Sequence, residues 1–249
     1  MWPAYVINLA DNVARMKNAA AILNEQTIPF SRLDAVNGWA VPEEEIDRVY
    51  DVEANARKGR HPLVRAEIGC YLSHIEAWRK ISEGEAAGGF VFEDDFTASD
   101  DLAEVMGALS DDNSAEWDMV KLFSFKQSPE VVAGRPLTGR HRLVVPRRVP
   151  TCLIGYGLTR SAAALLSRRA IPFFRPVDED QKFFWETGLR VALVLPSPVR
   201  VGDQQTVTGT IGSARRDVSQ KGIGQFLRGL RYQLSYRRAL KRAWKERGA

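Results

Sequence analysis

The segment Gly89–Asp95 reads GFVFEDD. Phe90, Val91 and Phe92 form an unbroken apolar run, as expected of a strand buried in a sheet, and it leads straight into Glu93, Asp94 and Asp95. Three neighbouring carboxylates at a buried strand end repel one another and lose hydration, so a metal ion, an arginine or water must meet them. In open α/β sheets, ligands gather outside the carboxyl ends of the strands. A chain built around this segment is therefore expected to be an α/β protein with a crevice at that end.

The rest of the chain supports that class. Tyr5–Leu9 is a short apolar strand, followed by Asp11 as a candidate N-cap and a helix with Val13, Met16 and Leu23 on one face. Pro29–Gly38 reads as a second strand closed by an Asn-Gly turn, which makes the opening a parallel strand–helix–strand unit. Pro42–Tyr50 is expected to be a short helix, Arg57–Pro62 a basic loop and Arg65–Ala86 a long helix with Ile68, Leu72, Ile75 and Ile81 at a 3.6-residue period. Another amphipathic helix is marked by Leu102, Val105, Met106 and Leu109. Trp117–Phe125 reads as a strand, Lys126–Arg140 as a loop, and Arg142–Val149 and Cys152–Thr159 as two more strands. Ser161–Ala170 is expected to be helical with Ser161 as N-cap, Ile171–Asp180 extended with a helix following to Thr187, Val191–Pro198 a last core strand, and Gly202–Arg216 a polar loop.

The chain has 249 residues, 45% apolar and 27% charged, enough for one large domain or two small ones and unlike a disordered chain. Cys70 and Cys152 lie far apart and show neither metal-ligand spacing nor a disulfide framework. The N-terminus has no basic region, and no apolar run is long enough for a signal peptide or a membrane span, so a cytoplasmic protein, soluble or peripheral on the inner membrane face, is expected. The net charge of +4 is uneven: from Lys221 onward nine Lys/Arg face a single acid, Glu246, so this end carries +8 and the body −4. Such a tail suits an anionic partner.

Asn8 and Leu9, the Asp34–Gly38 segment with Ala35 and Val36, and Glu93–Asp95 all fall at carboxyl ends of strands, where they would build one crevice. Asp94 and Asp95 are suitable hard oxygen donors for Mg²⁺ or Mn²⁺, and equally suitable as caps of the next turn. The histidines, His61, His74 and His141, suggest no zinc cluster, and His74 reads as a core or supporting histidine. No P-loop and no Ser-His-Asp arrangement is present.

The blocks YVINLADNVARMKNA, FSRLDAVNG, EIGCYLSHIEAW, FVFEDDF, WDMVKLF, LIGYGLTRSAAALL and PVDED occur in the order found in glycosyltransferase family 25. The chain resembles that family, which comprises the lipooligosaccharide-biosynthesis galactosyltransferases and their relatives, from roughly Tyr5 to Pro198. The resemblance implies a GT-A-like, Rossmann-like mixed sheet flanked by helices; with the charge count, one domain over about residues 1–220 and a basic helical tail over 221–249 are expected. It also implies a UDP-sugar donor, most often UDP-galactose, a glycan or glycolipid acceptor such as the lipooligosaccharide core, a divalent Mn²⁺ or Mg²⁺, and inversion at the anomeric carbon. On this reading Asp95, assisted by Asp94, holds the metal, while Glu93 assists it or bonds the nucleoside. Asn8, Leu9, Ala35 and Val36 line the donor site, and Arg15 reaches a phosphate. An inverting transferase needs a base, and Asp178 in PVDED is the candidate, with Glu179 and Asp180 as alternatives. Asp178 and Gln181 also have capping-box spacing.

In the tail, Leu227, Leu230 and Leu234 make one apolar stripe and Tyr236, Leu240 and Trp244 another, among basic residues. A helix over 223–247 lying on an anionic membrane surface fits this pattern, as does a terminal helix packed on its own domain; nucleic acid is not expected.

Overall fold

The computed structural model describes residues 1–202 and 223–248. Beyond Gly202, the expected loop to Arg216 lies outside the described residues, as does the boundary expected near 220. The N-terminal half alternates strands β1 (Ala4–Asn8), β2 (Phe30–Asp34), β3 (Gly88–Glu93), β4 (Phe96–Ala98) and β5 (Met119–Lys121) with helices α1 (Val13–Glu25), α2 (Glu43–Val49), α3 (Val52–Lys58), α4 (Arg65–Glu83) and α5 (Leu102–Ser110). After it come β6 (Val131–Thr138), β7 (His141–Pro146), β8 (Gly155–Thr159), α6 (Arg160–Arg169), α7 (Val177–Asp180), α8 (Phe184–Thr187), β9 (Val191–Leu195), β10 (Val199–Val201) and the C-terminal helix α9 (Ile223–Glu246).

Eight strands form one mixed sheet in the order β2-β1-β3-β8-β5-β9-β7-β6, while β4 and β10 pair in a small second sheet. β1 is parallel to β2 and β3, and β8 runs antiparallel to β3 and β5. Side chains alternate across the sheet as the two-residue period requires. Ala4, Val6, Phe90 and Phe92 face a core with α1 and α5, while Ile7, Val91 and Tyr156 face a second core with α4, α6 and α9. The result is the helix–sheet–helix layering expected of a Rossmann-like, GT-A-like α/β protein.

Several local expectations are corrected. Asn12, not Asp11, is the N-cap residue of α1, and its side chain makes no capping bond. Thr159, not Ser161, caps α6, accepting from the Ala162 amide. Lys126–Arg140 holds the edge strand β6, whose hairpin with β7 shifts register between Val131 and Ala133 and again between Pro136 and Thr138. The basic loop expected at Arg57–Pro62 begins inside α3, capped by Asp51 accepting from the Ala54 amide. The Asp178–Gln181 capping box does not form: Pro176 is the N-cap of α7 and Asp178 lies inside it.

α9 is no free appendage. Tyr232, Tyr236, Leu240, Ala243 and Trp244 are buried in the domain core, and the Trp244 indole donates to the Arg147 carbonyl at 2.8 Å. Among the described residues no helix is long and apolar enough to cross a membrane.

Candidate active site

The parallel strands β1, β2 and β3 end side by side, at Asn8, Asp34 and Glu93. Asn8 is buried, and its amide is fixed from both ends. Its Nδ2 donates to Asp94 Oδ2 at 2.7 Å and to the Asn12 carbonyl at 3.1 Å, while its Oδ1 accepts from Arg32 Nε at 2.9 Å. Arg15, on the first turn of α1, donates to Asp94 Oδ1 at 3.3 Å and stands 3.8 Å from Asp95 Oδ2. An arginine therefore meets the carboxylates here, and Arg15 faces the acids rather than solvent. Burial nonetheless raises Asp94 above the usual carboxylate range, with Asn8 and Arg15 acting against it.

Glu93 turns toward α4, where His74 Nε2 is 3.5 Å from its Oε1. The three neighbouring acids thus avoid one another: Asp94 and Asp95 point to Arg15 and Glu93 to His74. A buried relay orients that histidine. The Trp78 indole donates to the Tyr156 hydroxyl at 2.9 Å, and the same hydroxyl lies 2.8 Å from His74 Nδ1. Indole can only donate, so the tyrosine accepts there, and because the Glu93 carboxylate opposite Nε2 calls for a ring N–H on that side, the hydroxyl hydrogen goes to Nδ1. The imidazole hydrogen then sits on Nε2, aimed at Glu93.

Cys70 lies one turn before His74, and Cys70, His74 and Glu93 bring their ligand atoms within 4.8 Å of one another. The sequence concealed this group because Glu93 comes from a different element. Burial, followed by the Glu93 charge, holds the Cys70 thiol well above its ordinary value, so without a cation it stays protonated.

The acids of PVDED separate into distinct roles. Asp180 accepts from the Tyr71 hydroxyl at 2.7 Å and from Arg175 at 2.8 Å. Glu179 accepts from the Tyr232 hydroxyl of α9 at 2.9 Å. Asp178 accepts the Cys152 amide at 3.0 Å through Oδ2. Cys152 has a left-handed backbone, φ 72°, and its carbonyl accepts from Lys121 at the end of β5. Lys121 is fully buried, which brings it down to about 8, against the raising influence of Cys152, Asp178 and Glu93. Hydrogen bonds therefore group Lys121 and Asp178 around the Cys152 backbone, within reach of the Glu93 charge. Sequence reasoning gave Lys121 no role, although a lysine amid the apolar run of MVKLF was the available signal. Arg32 and Tyr156 were missed as well.

The segment after β2 is locked to α4 by a pair of glycines. A side chain on Gly69 would lie 2.5 Å from the Val36 carbonyl, and one on Gly38 would strike the Arg65 carbonyl. The Ala35 amide donates to the Asn8 carbonyl and the Val36 amide to Ser73 Oγ, so these two residues can present only other groups to a ligand. Leu9 is half-buried, its carbonyl accepting from the Asn12 amide.

A divalent cation fits the Asp94–Asp95 pair on donor chemistry. Both are hard carboxylate donors, and the bonds that Asp94 accepts from Asn8 and Arg15 use only part of its lone-pair capacity. The Cys70–His74–Glu93 group offers softer donors, of the kind that suit zinc better than manganese.

The model of "Glycosyltransferase family 25 (LPS biosynthesis protein)" matches residues 1–133. A similar protein is procollagen galactosyltransferase 1-A of Xenopus laevis, 29% identical over 183 residues, covering 70% of this chain and 30% of that protein. Another is the inactive glycosyltransferase 25 family member 3 of Mus musculus, 27% identical over 256 residues, covering 90% of this chain and 43% of its own length. The chain spans less than half the length of these relatives.

Proposed function

This chain belongs to glycosyltransferase family 25, and we propose that it is a metal-dependent, inverting transferase moving a hexose from a UDP-sugar to a glycan acceptor. Galactose is the proposed sugar, because relatives are named procollagen galactosyltransferases, and a surface glycan such as the lipooligosaccharide core is the proposed acceptor, because the family's description names LPS biosynthesis. The observation that carries this reading is the joining of Asn8, Arg15, Glu93, Asp94 and Asp95 at adjacent carboxyl ends of β1 and β3, with Asp178 brought near Glu93 through the Cys152–Lys121 link.

The acceptor oxygen attacks the anomeric carbon, the bond from that carbon to the diphosphate oxygen breaks, and UDP leaves with the electron pair. Asp178 takes the acceptor proton: its Oδ2 is held by the Cys152 amide, which fixes the carboxylate and assigns Oδ1 to the proton. A divalent cation held by Asp95 and Asp94 would supply charge neutralisation to the departing diphosphate. Asn8 holds Asp94 in place, and Arg15 balances the acids while the donor is absent and is close enough to serve a phosphate once it arrives. The His74 relay sets Glu93 to accept from the donor's nucleoside or sugar hydroxyls.

A UDP-release assay over a panel of UDP-sugars, run with Mn²⁺ and again with EDTA, tests this. Metal-dependent release from one UDP-hexose is expected. Undiminished release in EDTA would overturn the metal role. UDP binding with no release from any sugar, even with glycan acceptors, would favour a second reading, a non-catalytic nucleotide-sugar-binding protein, which the inactive relative covering 90% of this chain makes a specific alternative.

A further inference from the structure

We propose that the outward face of α9 is a docking surface for an anionic lipid bilayer. The packing of the helix divides its circumference. Tyr232, Tyr236, Leu240 and Trp244 sink into the domain, with Tyr236 5.4 Å from the Phe183 ring and Trp244 5.4 Å from Phe184. At 3.6 residues per turn the opposite side carries Leu227, Leu230 and Leu234 in its first half and Arg238, Lys241 and Lys245 in its second. The leucines are 55%, 48% and 45% exposed, three of the few large apolar side chains the described chain leaves in water. Arg231, Arg237 and Arg242 flank this face and are exposed too. No acid lies within it; Glu246 sits to one side, at the last turn.

Tertiary structure extends the face in a way the sequence did not reveal. Arg231 donates to the carbonyls of Ala56 and Arg57, and Arg228 to those of Asn55 and Gly59. These bonds lay the basic segment with Arg57, Lys58 and Arg60, all exposed, beside the start of α9. Leucines rimmed by cations from two elements have the chemistry of an interfacial helix: apolar side chains enter the acyl boundary and cations meet phosphate headgroups. A second copy of the chain would bring the same positive charges face to face, and nucleic acid would leave the leucines without a role. The rigid attachment gives the contact a consequence. Tyr232 bonds Glu179, the neighbour of Asp178, so a bilayer on the outer face of α9 lies about one helix diameter, roughly 10–12 Å, from α7. That final step rests on the transferase reading; the docking surface itself does not.

The test is co-sedimentation of the full chain with phosphatidylcholine vesicles, with and without phosphatidylglycerol, at low and high salt. Binding is expected only to the anionic vesicles, and is expected to weaken with salt. Each cation near such a surface is worth about fivefold in partitioning, so Arg238→Glu/Lys241→Glu/Lys245→Glu should reduce binding at least about tenfold. Leu227→Ser/Leu230→Ser/Leu234→Ser should do the same with only a small fall in melting temperature, since these side chains belong to neither core cluster and the cost is mainly helix propensity. Equal binding to neutral vesicles, or none to anionic ones, overturns the proposal. So does a leucine variant that binds as well as wild type, since charge alone would then explain the attraction. A dimer in solution that the leucine variant converts to a monomer would instead assign the face to a second copy. Because the readout is partitioning, an inactive enzyme would leave the test intact, and a failure here would leave the transferase reading standing.

Discussion

Lys121 offers the sharpest test of the site's electrostatics. Its ammonium is fully buried against the Cys152 carbonyl, with Glu93 and Asp178 as the compensating charges, and burial brings it from 10.5 to about 8. A lysine whose value is lowered by folding destabilises the fold while it is protonated. The penalty is full below about pH 8 and fades as pH rises toward 10.5, because in that window the unfolded chain still holds the proton. With these two values, raising the pH from about 7 to about 9.5 relieves the wild type of about 2 kcal/mol. Lys121→Met keeps the length and removes the titration. Urea unfolding of both proteins at the two pH values isolates this group, because other titrating residues cancel in the difference. The stability of the Met variant relative to wild type should fall by about 2 kcal/mol between the two conditions. Turnover by the variant should also drop, since the Cys152 loop loses its anchor. A relative stability that does not change with pH would refute the claim that burial depresses Lys121.

Three other substitutions probe the supports of the site. Gly69→Ala should cost about 1–3 kcal/mol and weaken UDP binding, because its side chain would lie 2.5 Å from the Val36 carbonyl; calorimetry and thermal melting check both. Tyr156→Phe strands the Trp78 indole and His74 Nδ1, so it should cost about 1–3 kcal/mol and lower kcat/KM by misplacing Glu93. Trp244→Ala should destabilise the whole domain by about 3–5 kcal/mol in a single transition, whereas a separate early transition would mean that α9 is an independent appendage.

Much of the fold was legible in the sequence because its strongest signals are local. The 3.6-residue period of α4 and the apolar runs of β1, β3 and β9 report burial directly, and the strand–helix–strand opening fixes a parallel unit. β6 escaped because an edge strand half in solvent carries Gly134, Arg135 and Pro136, a composition that looks like a loop. The acid cluster was visible, but its internal division was not: which way each carboxylate turns depends on Arg15 from α1 and His74 from α4. PVDED likewise offered Asp178 as the candidate, with no contact to separate it from Glu179 and Asp180. Tyr71 and Tyr232, distant in sequence, and Arg175, five residues before Asp180, engage Asp180 and Glu179 and leave Asp178 to the Cys152 loop. The tail gave two apolar stripes and no means of ranking them; packing buries the Tyr236–Leu240–Trp244 stripe and exposes the leucines.

The most direct test of the central claim compares UDP binding with UDP-hexose turnover in Asp178→Asn. The change preserves size and removes the proton acceptor. Unchanged UDP affinity with turnover reduced about 10²–10⁴-fold is expected if the strand ends bind donor and Asp178 serves the acceptor. Wild-type turnover in this variant, or loss of turnover together with UDP binding, would contradict that division.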